Sequence, residues 1–333
     1  MREGQNEVAR PHLLDLLRGV APSGRAPGPG PGATLQPLPP RAGVLPAEAE
    51  LRAFAEVAAP LLGARQARPS SAAASSRRPG IGLQRLDHRD YQPGDELRHI
   101  DWRLTARARR LVVRRFEAES AGDWTILLDA SSSMAAGDGG KWRAAVRAAA
   151  AMSYALLHNG HRVGLVVFGA RVLAECARGR GRRHYAAIAR TLASLQPAAR
   201  GERSAIGVCA PRLHGAVSVF AIGDFLAEDE MRGELATLRR ACSELHALQL
   251  HSADETHVRA AGEFDLVDVE TGARLAARIG ADDHEQAAAA RRAMTARLGS
   301  FCSKSGIAFT DWNVADAWQQ TLVRHLARAR SRC

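Results

Sequence analysis

The segment Asp129-Ala130-Ser131-Ser132-Ser133-Met134 carries one carboxylate and two hydroxyls at alternating positions, between an apolar run and a stretch of helical composition. A carboxylate at a strand end, followed by hydroxyls two and four residues later, turns three oxygens toward one point. Hard divalent cations such as Mg²⁺ take such oxygens, at about 2.0–2.1 Å. The same residue types also cap helices and form turns, where they satisfy backbone N–H groups instead of an ion. A second carboxylate, Asp224, follows another apolar run and favours the cation reading. Other chemistry is poorly supplied. There is no Gly-x-Ser-x-Gly elbow for a nucleophilic serine and no Gly-x-x-x-x-Gly-Lys-Ser/Thr loop for ATP phosphates. His158 and His161 flank Asn159-Gly160 without an acidic or Cys partner at metal spacing, so a helix C-cap is expected there. No His or Lys lies within the ion motif to act as a general base or leaving-group acid.

The elements that must position these residues follow from hydrophobic period. Residues 124–129 and 162–168 are short, nearly continuous apolar runs, as in strands buried on both faces. Residues 111–116, 216–222, 245–250 and 307–311 also read as strands, with 172–175 pairing beside 162–168. Helical patterns cover 141–158, 183–195, 228–245, 282–305 and 314–330. Residues 264–269 are expected to form an edge strand, followed by a turn at Glu270-Thr271-Gly272. Strand and helix alternate from Trp124 onward, which predicts an α/β fold, a doubly wound and mostly parallel sheet. Ligands of such sheets bind beyond the carboxyl ends of the strands. Upstream, residues 22–46 are dense in Gly and Pro and read as a tether. Residues 46–64 read as a helix with Leu51, Phe54, Val57, Leu61 and Leu62 on one side. The expected divisions are 1–79 (helix and linker), 80–120 (a β-rich segment) and 121–330 (the α/β domain).

Composition narrows the class. Over 333 residues, 46% are hydrophobic and 24% charged, which fits a globular chain and excludes a disordered or collagen-like one. The formal net charge is +11, carried almost entirely by arginine, because Lys141 and Lys304 are the only lysines. The positive residues are scattered and lack an aromatic stacking array, so nucleic-acid binding is disfavoured. No run approaches the ~18–20 apolar residues of a membrane helix, and the first twenty residues lack the apolar core of a secretory signal. Cys176, Cys209, Cys242, Cys302 and Cys333 are widely spaced without Cys-x-x-Cys, as in a cytoplasmic protein with reduced thiols.

The Asp129-x-Ser131-x-Ser133 pattern resembles the metal-ion-dependent adhesion site of von Willebrand factor A-type domains. Upstream, Gly82-Leu83, the run from Arg89 to Arg103 (RDYQPGDELRHIDWR) and Ala106-Arg107 stand in order. This block resembles the hallmark of the domain of unknown function 58 family, and the resemblance spans about residues 80–330. Asp268-Val269-Glu270-Thr271-Gly272 is similar to that family's short turn before its long helix. Gln84 departs from the family's usual Glu, and Ser252-Ala253-Asp254-Glu255 matches its Asp-Pro-x-Glu only loosely. The resemblance implies a von Willebrand factor A-like sheet with an N-terminal β-rich extension. It also implies two further oxygen ligands from later loops, a Thr and an Asp; Ser204 and Asp224 are the candidates. The expected cofactor is Mg²⁺ or Mn²⁺, held by the resting chain or only together with a partner.

In the upstream block, Asp95, Arg98 and Asp101 recur every three residues and are expected to form a local ion-pair cluster, anchored by Ile100 and Trp102. The block is either a structural clasp or a docking surface built from Arg89, Tyr91, Asp95, Arg98, Asp101, Trp102 and Arg107. The implied function is a non-enzymatic, metal-dependent adaptor. Its implied partners are a MoxR-type AAA+ ATPase and other von Willebrand factor A-type proteins. The implied role is chaperone-like maturation or metal insertion of a client enzyme, such as methanol dehydrogenase. The competing reading is a Mg²⁺-dependent hydrolase such as a phosphatase.

Overall fold

A computed structural model describes residues 44–62, 85–91, 100–108, 110–116, 122–197, 201, 203–213, 218–226, 228–252 and 262–331. It divides into two compact units, one holding residues up to Leu62 together with Asp123–Cys333, the other Gly63–Gly122.

The larger unit is organised on six strands: β3 (Asp123–Asp129), β4 (Arg162–Phe168), β5 (Val172–Gly179), β6 (Ser218–Gly223), β7 (Glu244–His251) and β10 (Ala308–Asn313). Their order across the sheet is β10-β7-β6-β3-β4-β5. All neighbours are parallel except β4 and β5, which run antiparallel. Between the strands lie α3 (Gly140–His158), α4 (Gly181–Ser194), α5 (Glu228–Ala241) and α6 (Ala281–Lys304), and α7 (Trp318–Ser331) follows β10. The winding reverses between β3 and β6, the two strands whose carboxyl ends carry Asp129 and Asp224. This is the doubly wound sheet that the alternation predicts.

Period-two alternation sorts the strand residues onto two faces. Ile126, Leu128, Phe220, Ile222, Leu248 and Leu250 pack on one side with α3 and α7. Leu127, Val219, Ala221, Leu245 and Ala247 pack on the other with α5 and α6. That double burial explains why the strands read as continuous apolar runs. On the first face, seven alanines of α3 are buried (144, 145, 148–151 and 155). His246 Nδ1 and His325 Nε2 lie 2.9 Å apart, and His325 Nδ1 lies 2.9 Å from Thr310 Oγ1, linking α7 to β7 and β10. Helix α3 ends as expected, with Gly160 at φ +82° and the His161 N–H donating to the Leu156 carbonyl at 3.0 Å.

Helix α1 (Glu48–Leu62) belongs to this same unit and joins its core through Leu51, Phe54, Ala55, Ala58 and Leu62. The Phe54 and Trp318 rings meet edge to face at 5.4 Å. Val57, expected on this stripe, is 55% exposed. At about 100° per residue it lies about 240° round from Leu51, off the face that 51, 55, 58 and 62 define. Phe54→Ala should cost about 3–5 kcal/mol in urea unfolding, as expected for a large core aromatic. A loss below about 1 kcal/mol would mean that α1 is not part of the cooperative core.

Strand β8 (Gly262–Val267) is not an edge of the main sheet. It pairs antiparallel with β9 (Arg274–Ile279) in a separate two-stranded sheet, and β5 and β10 hold the edges of the large one. The β9 sequence RLAARI is rich in good helix formers, and pairing with β8 overrides that preference. Helix α5 stops at Ala241, short of the expected 245, so that β7 starts at Glu244.

The smaller unit contains β1 (Arg85–Asp90), α2 (Trp102–Ala108) and β2 (Val112–Phe116), with β1 and β2 antiparallel. Tyr91 N–H donates to the Leu111 carbonyl at 2.9 Å, and Asp101 N–H to the Val112 carbonyl at 2.8 Å. The Asp101 carboxylate accepts the Leu104 N–H at 3.2 Å, so Asp101 caps α2. Ile100 is buried as expected, but Trp102 is 64% exposed and anchors nothing. Asp95 and Arg98 lie outside the described residues, as does the side chain of Arg89; Arg107 is exposed.

Candidate metal centre

Asp129 is the last residue of β3 and is fully buried. Its neighbour Ala130 is held to the end of β4, with the Ala130 N–H donating to the Phe168 carbonyl at 2.7 Å. The chain then turns through a short 3-10 segment, Ser132–Ala135. That turn returns the Ser131 N–H to Asp129 Oδ1 at 2.8 Å and brings the Ser131 and Ser133 hydroxyl oxygens to 3.0 Å. Both serines are buried.

Ser204 joins from the loop before β6. Its hydroxyl donates to Asp129 Oδ2 at 2.6 Å, and the Ala205 N–H donates to the Gly169 carbonyl at 3.1 Å, tying the loop to the end of β4. Asp224 follows β6 directly and is 1% exposed. The preceding residue leaves little room for a side chain: a Cβ on Gly223 would lie 3.0 Å from both Cβ and Oδ2 of Asp129, so a larger residue there would press on the Asp129 side chain. The next residue, Phe225, is buried with φ +48°, a left-handed conformation rare for an aromatic residue. Gln249 Nε2 donates to the Asp224 carbonyl oxygen at 2.9 Å and fixes this bend. Thus Asp129, Ser131, Ser133 and Ser204 form one hydrogen-bonded group at the carboxyl ends of β3 and β6, with Asp224 electrostatically coupled to Asp129.

Two residues of this centre were not among those expected. Lys141, in the first turn of α3, is fully buried, and its ammonium donates to Asp224 Oδ2 at 2.8 Å. The ion motif therefore does have a lysine beside it in space. Its sequence signal was rarity: one of two lysines in a chain whose Lys and Arg total 46. A compact ammonium on a flexible stem enters a buried site that a planar guanidinium fits poorly. Glu270, in the turn between β8 and β9, has a carboxyl that feels the charge of Asp224 and the Ser133 hydroxyl. The segment around it was noticed as a family-like turn, but nothing in the sequence placed its carboxylate here.

Electrostatics mark the centre. Burial first, and then the Asp224 charge, push the Asp129 carboxyl up to about 7, against the lowering effect of its hydrogen bonds to Ser204 and Ser131. Burial and then Asp224 likewise raise Glu270 to about 7. Asp224 Oδ1 is buried and has no hydrogen-bond partner among the described residues. With all groups ionised, three carboxylates against one ammonium leave two negative charges. The donors are all oxygens. The set therefore fits a hard divalent cation. Among the described residues no three His, Cys, Asp or Glu groups close on a point by themselves, so an ion here needs the serine hydroxyls.

This centre, on this sheet, lies in a chain that belongs to the family described as Protein of unknown function DUF58, which matches residues 87–297. Relatives include Uncharacterized protein Mb1516 of Mycobacterium bovis and Uncharacterized protein Rv1480 of Mycobacterium tuberculosis. Each is 29% identical over 262 residues, covering 76% of this chain and 81% of the relative. Among solved structures, the conserved hypothetical protein BatB from Bacteroides thetaiotaomicron aligns with a TM-score of 0.35 and 14% identity, over 63% of this chain and 99% of BatB. Among the described residues, no helix is long and apolar enough to cross a membrane, and Cys176, Cys209, Cys242 and Cys302 form no disulfide.

Proposed function

We propose that the chain is a non-enzymatic, divalent-cation-dependent protein-interaction adaptor. Asp129, Ser131, Ser133, Ser204 and Asp224 would hold Mg²⁺ or Mn²⁺, and the ion would supply a positive point that accepts a carboxylate from a partner. The observation that carries this reading is the buried Asp224 Oδ1 without a hydrogen-bond partner among the described residues, beside an Asp129 carboxyl held near neutrality by burial. A buried carboxylate oxygen left unpaired is costly unless something neutralises it. The family resemblance suggests the partner, a MoxR-type AAA+ ATPase, which would provide the energy for chaperone-like work on a client enzyme in the cytoplasm. Exposed Trp102 and Arg107 are available for docking in the smaller unit.

The hydrolase reading is weaker. Lys141 is the acid–base candidate nearest the centre, yet it is fully buried and engaged with Asp224, which makes it a counter-charge and not a proton donor to substrate. The decisive experiment titrates Mn²⁺ into the full chain by calorimetry and electron paramagnetic resonance, and captures ATPase from native-cell extract with Mg²⁺ or EDTA. We expect one Mn²⁺ per chain, lost in Asp129→Asn, and Mg²⁺-dependent capture of a MoxR-type ATPase. Absence of ion uptake by folded protein would refute the reading, and sustained Mg²⁺-dependent phosphoester turnover lost in Asp129→Asn would replace it with the hydrolase.

A further inference from the structure

A chain of polar side chains crosses the otherwise apolar layer between α7 and the sheet. His246 on β7 and His325 on α7 face each other, with Nδ1 of the first 2.9 Å from Nε2 of the second. At one end of this chain, His325 Nδ1 lies 2.9 Å from Thr310 Oγ1 on β10. At the other, His246 Nε2 lies 3.3 Å from Glu244 Oε1, which brings a negative charge to the pair. The Ser218 hydroxyl on β6 donates to the second oxygen of Glu244 at 3.0 Å. Both histidines are buried. Their surroundings are aromatic: His246 packs on Trp124 of β3 at 5.4 Å and on Phe220 of β6 at 5.7 Å, and Phe220 also meets His325 at 5.2 Å. A third imidazole, His161, meets the Trp124 ring at 6.4 Å.

We propose that the His246–His325 pair is a proton-sensitive latch, which holds α7 on β7 and β10 with none or one extra proton and opens on taking a second. Two ring nitrogens at hydrogen-bond distance share one proton, one donating and the other accepting. The Glu244 carboxylate selects which, because a bare His246 Nε2 would turn its lone pair toward a negative charge. In the neutral pair His246 therefore carries its proton on Nε2, His325 donates from Nε2 to His246 Nδ1, and Thr310 donates to His325 Nδ1. A first extra proton goes to His325 Nδ1, with Thr310 turning its hydroxyl to accept. A second has only His246 Nδ1 left, where N–H would point at N–H between two charged rings. Acid thus loosens α7 from the sheet. It loosens α1 as well, whose Phe54 rests on Trp318 of α7 at 5.4 Å. The latch is independent of the cation reading: His246 and its strand partner Phe220 lie toward the amino ends of β7 and β6, away from the carboxyl ends that carry Asp129 and Asp224.

Once α7 opens and water reaches the rings, both imidazoles titrate near the ordinary value of about 6.5 and bind two protons at pH 5. The closed pair binds one at most, so opening is favoured as pH falls. In hydrogen exchange on the full chain, the protection factors of the α7 amides, 318–331, should fall about tenfold or more from pH 7.5 to pH 5. His325→Gln tests the cause. Gln presents either its N–H or its carbonyl to His246 Nδ1, so His246 can take a proton without losing the contact, and the acid loss in α7 should disappear. Carboxylates that titrate over the same range act on both proteins alike. If His325→Gln does not fold, imidazole ¹⁵N spectra of the wild type decide: the folded pair should show two and then three ring N–H protons as pH falls. Four ring N–H protons at pH 5 with α7 still protected would overturn the latch. So would α7 protection that is unchanged between pH 7.5 and pH 5, or an acid loss in His325→Gln equal to that of the wild type.

Discussion

Lys141→Met should destabilise the metal-free protein by about 3–5 kcal/mol, the usual effect of removing one partner of a buried ion pair. The ammonium and the Asp224 carboxylate are 0% and 1% exposed and 2.8 Å apart. Such a pair need not stabilise the fold relative to apolar residues of the same size. Removing one half is a different matter, because the other charge stays in a medium that solvates it poorly. Here the effect is compounded, because Asp129 and Glu270 already feel the Asp224 charge. The double variant Lys141→Met with Asp224→Asn should recover much of the loss. Saturating Mg²⁺ should also restore stability to the single variant, by replacing the missing positive charge. Urea unfolding with and without Mg²⁺ measures all three, and a Lys141→Met loss below about 1 kcal/mol would mean that the ammonium is hydrated in solution.

The second large effect is on pH. Asp129 titrates at about 7 in the fold, against an ordinary value of 3.8. The folded chain therefore holds this proton more tightly than the unfolded chain does. That contribution to stability is complete below pH ~4 and is lost as pH rises through about 7. Glu270, also raised to about 7, acts in the same direction. In EDTA the protein should therefore be less stable at pH 8 than at pH 5, by an amount on the order of 3 kcal/mol for Asp129 fully coupled to folding. Added Mg²⁺ should flatten or invert this slope, since the cation takes the place of the proton. Urea midpoints at the two pH values, with and without Mg²⁺, provide the test. A metal-free stability that rises with pH would show that burial does not hold Asp129 protonated.

Much of this was legible before any coordinates, for specific physical reasons. The strands announced themselves because both faces of the sheet are covered, so 124–129 and 162–168 could only be apolar throughout. Asp129, Ser131 and Ser133 were legible because one strand end and one tight turn fix all three. Ser204 and Asp224 became candidates through the family resemblance, and the contact of Ser204 with Asp129 depends on a loop docking against the end of β4. Lys141 and Glu270 escaped because their roles arise from partners distant in the chain. No local pattern distinguishes a lysine that turns inward to Asp224 from one that faces water. β9 escaped because its residues favour helix, and only its pairing with β8 made it a strand. Val57 was misplaced by counting apolar residues without following the angle of the helix. Trp102, expected with Ile100 as an anchor, is exposed, and only Ile100 is buried.

The alanine face of α3 carries a thermodynamic signature of its own. Its seven buried alanines have no rotamers to freeze on folding, so at those positions the helix packs with almost no loss of side-chain entropy. Each alanine also removes little apolar area from water, so close backbone approach and dispersion contribute more at this contact than area does. The protein has in effect separated two tasks. The alanines give a smooth, entropically inexpensive packing surface, while bulkier side chains, Trp142 on α3 itself and Phe220, Trp312 and Trp318 in the same core, bury the larger apolar areas.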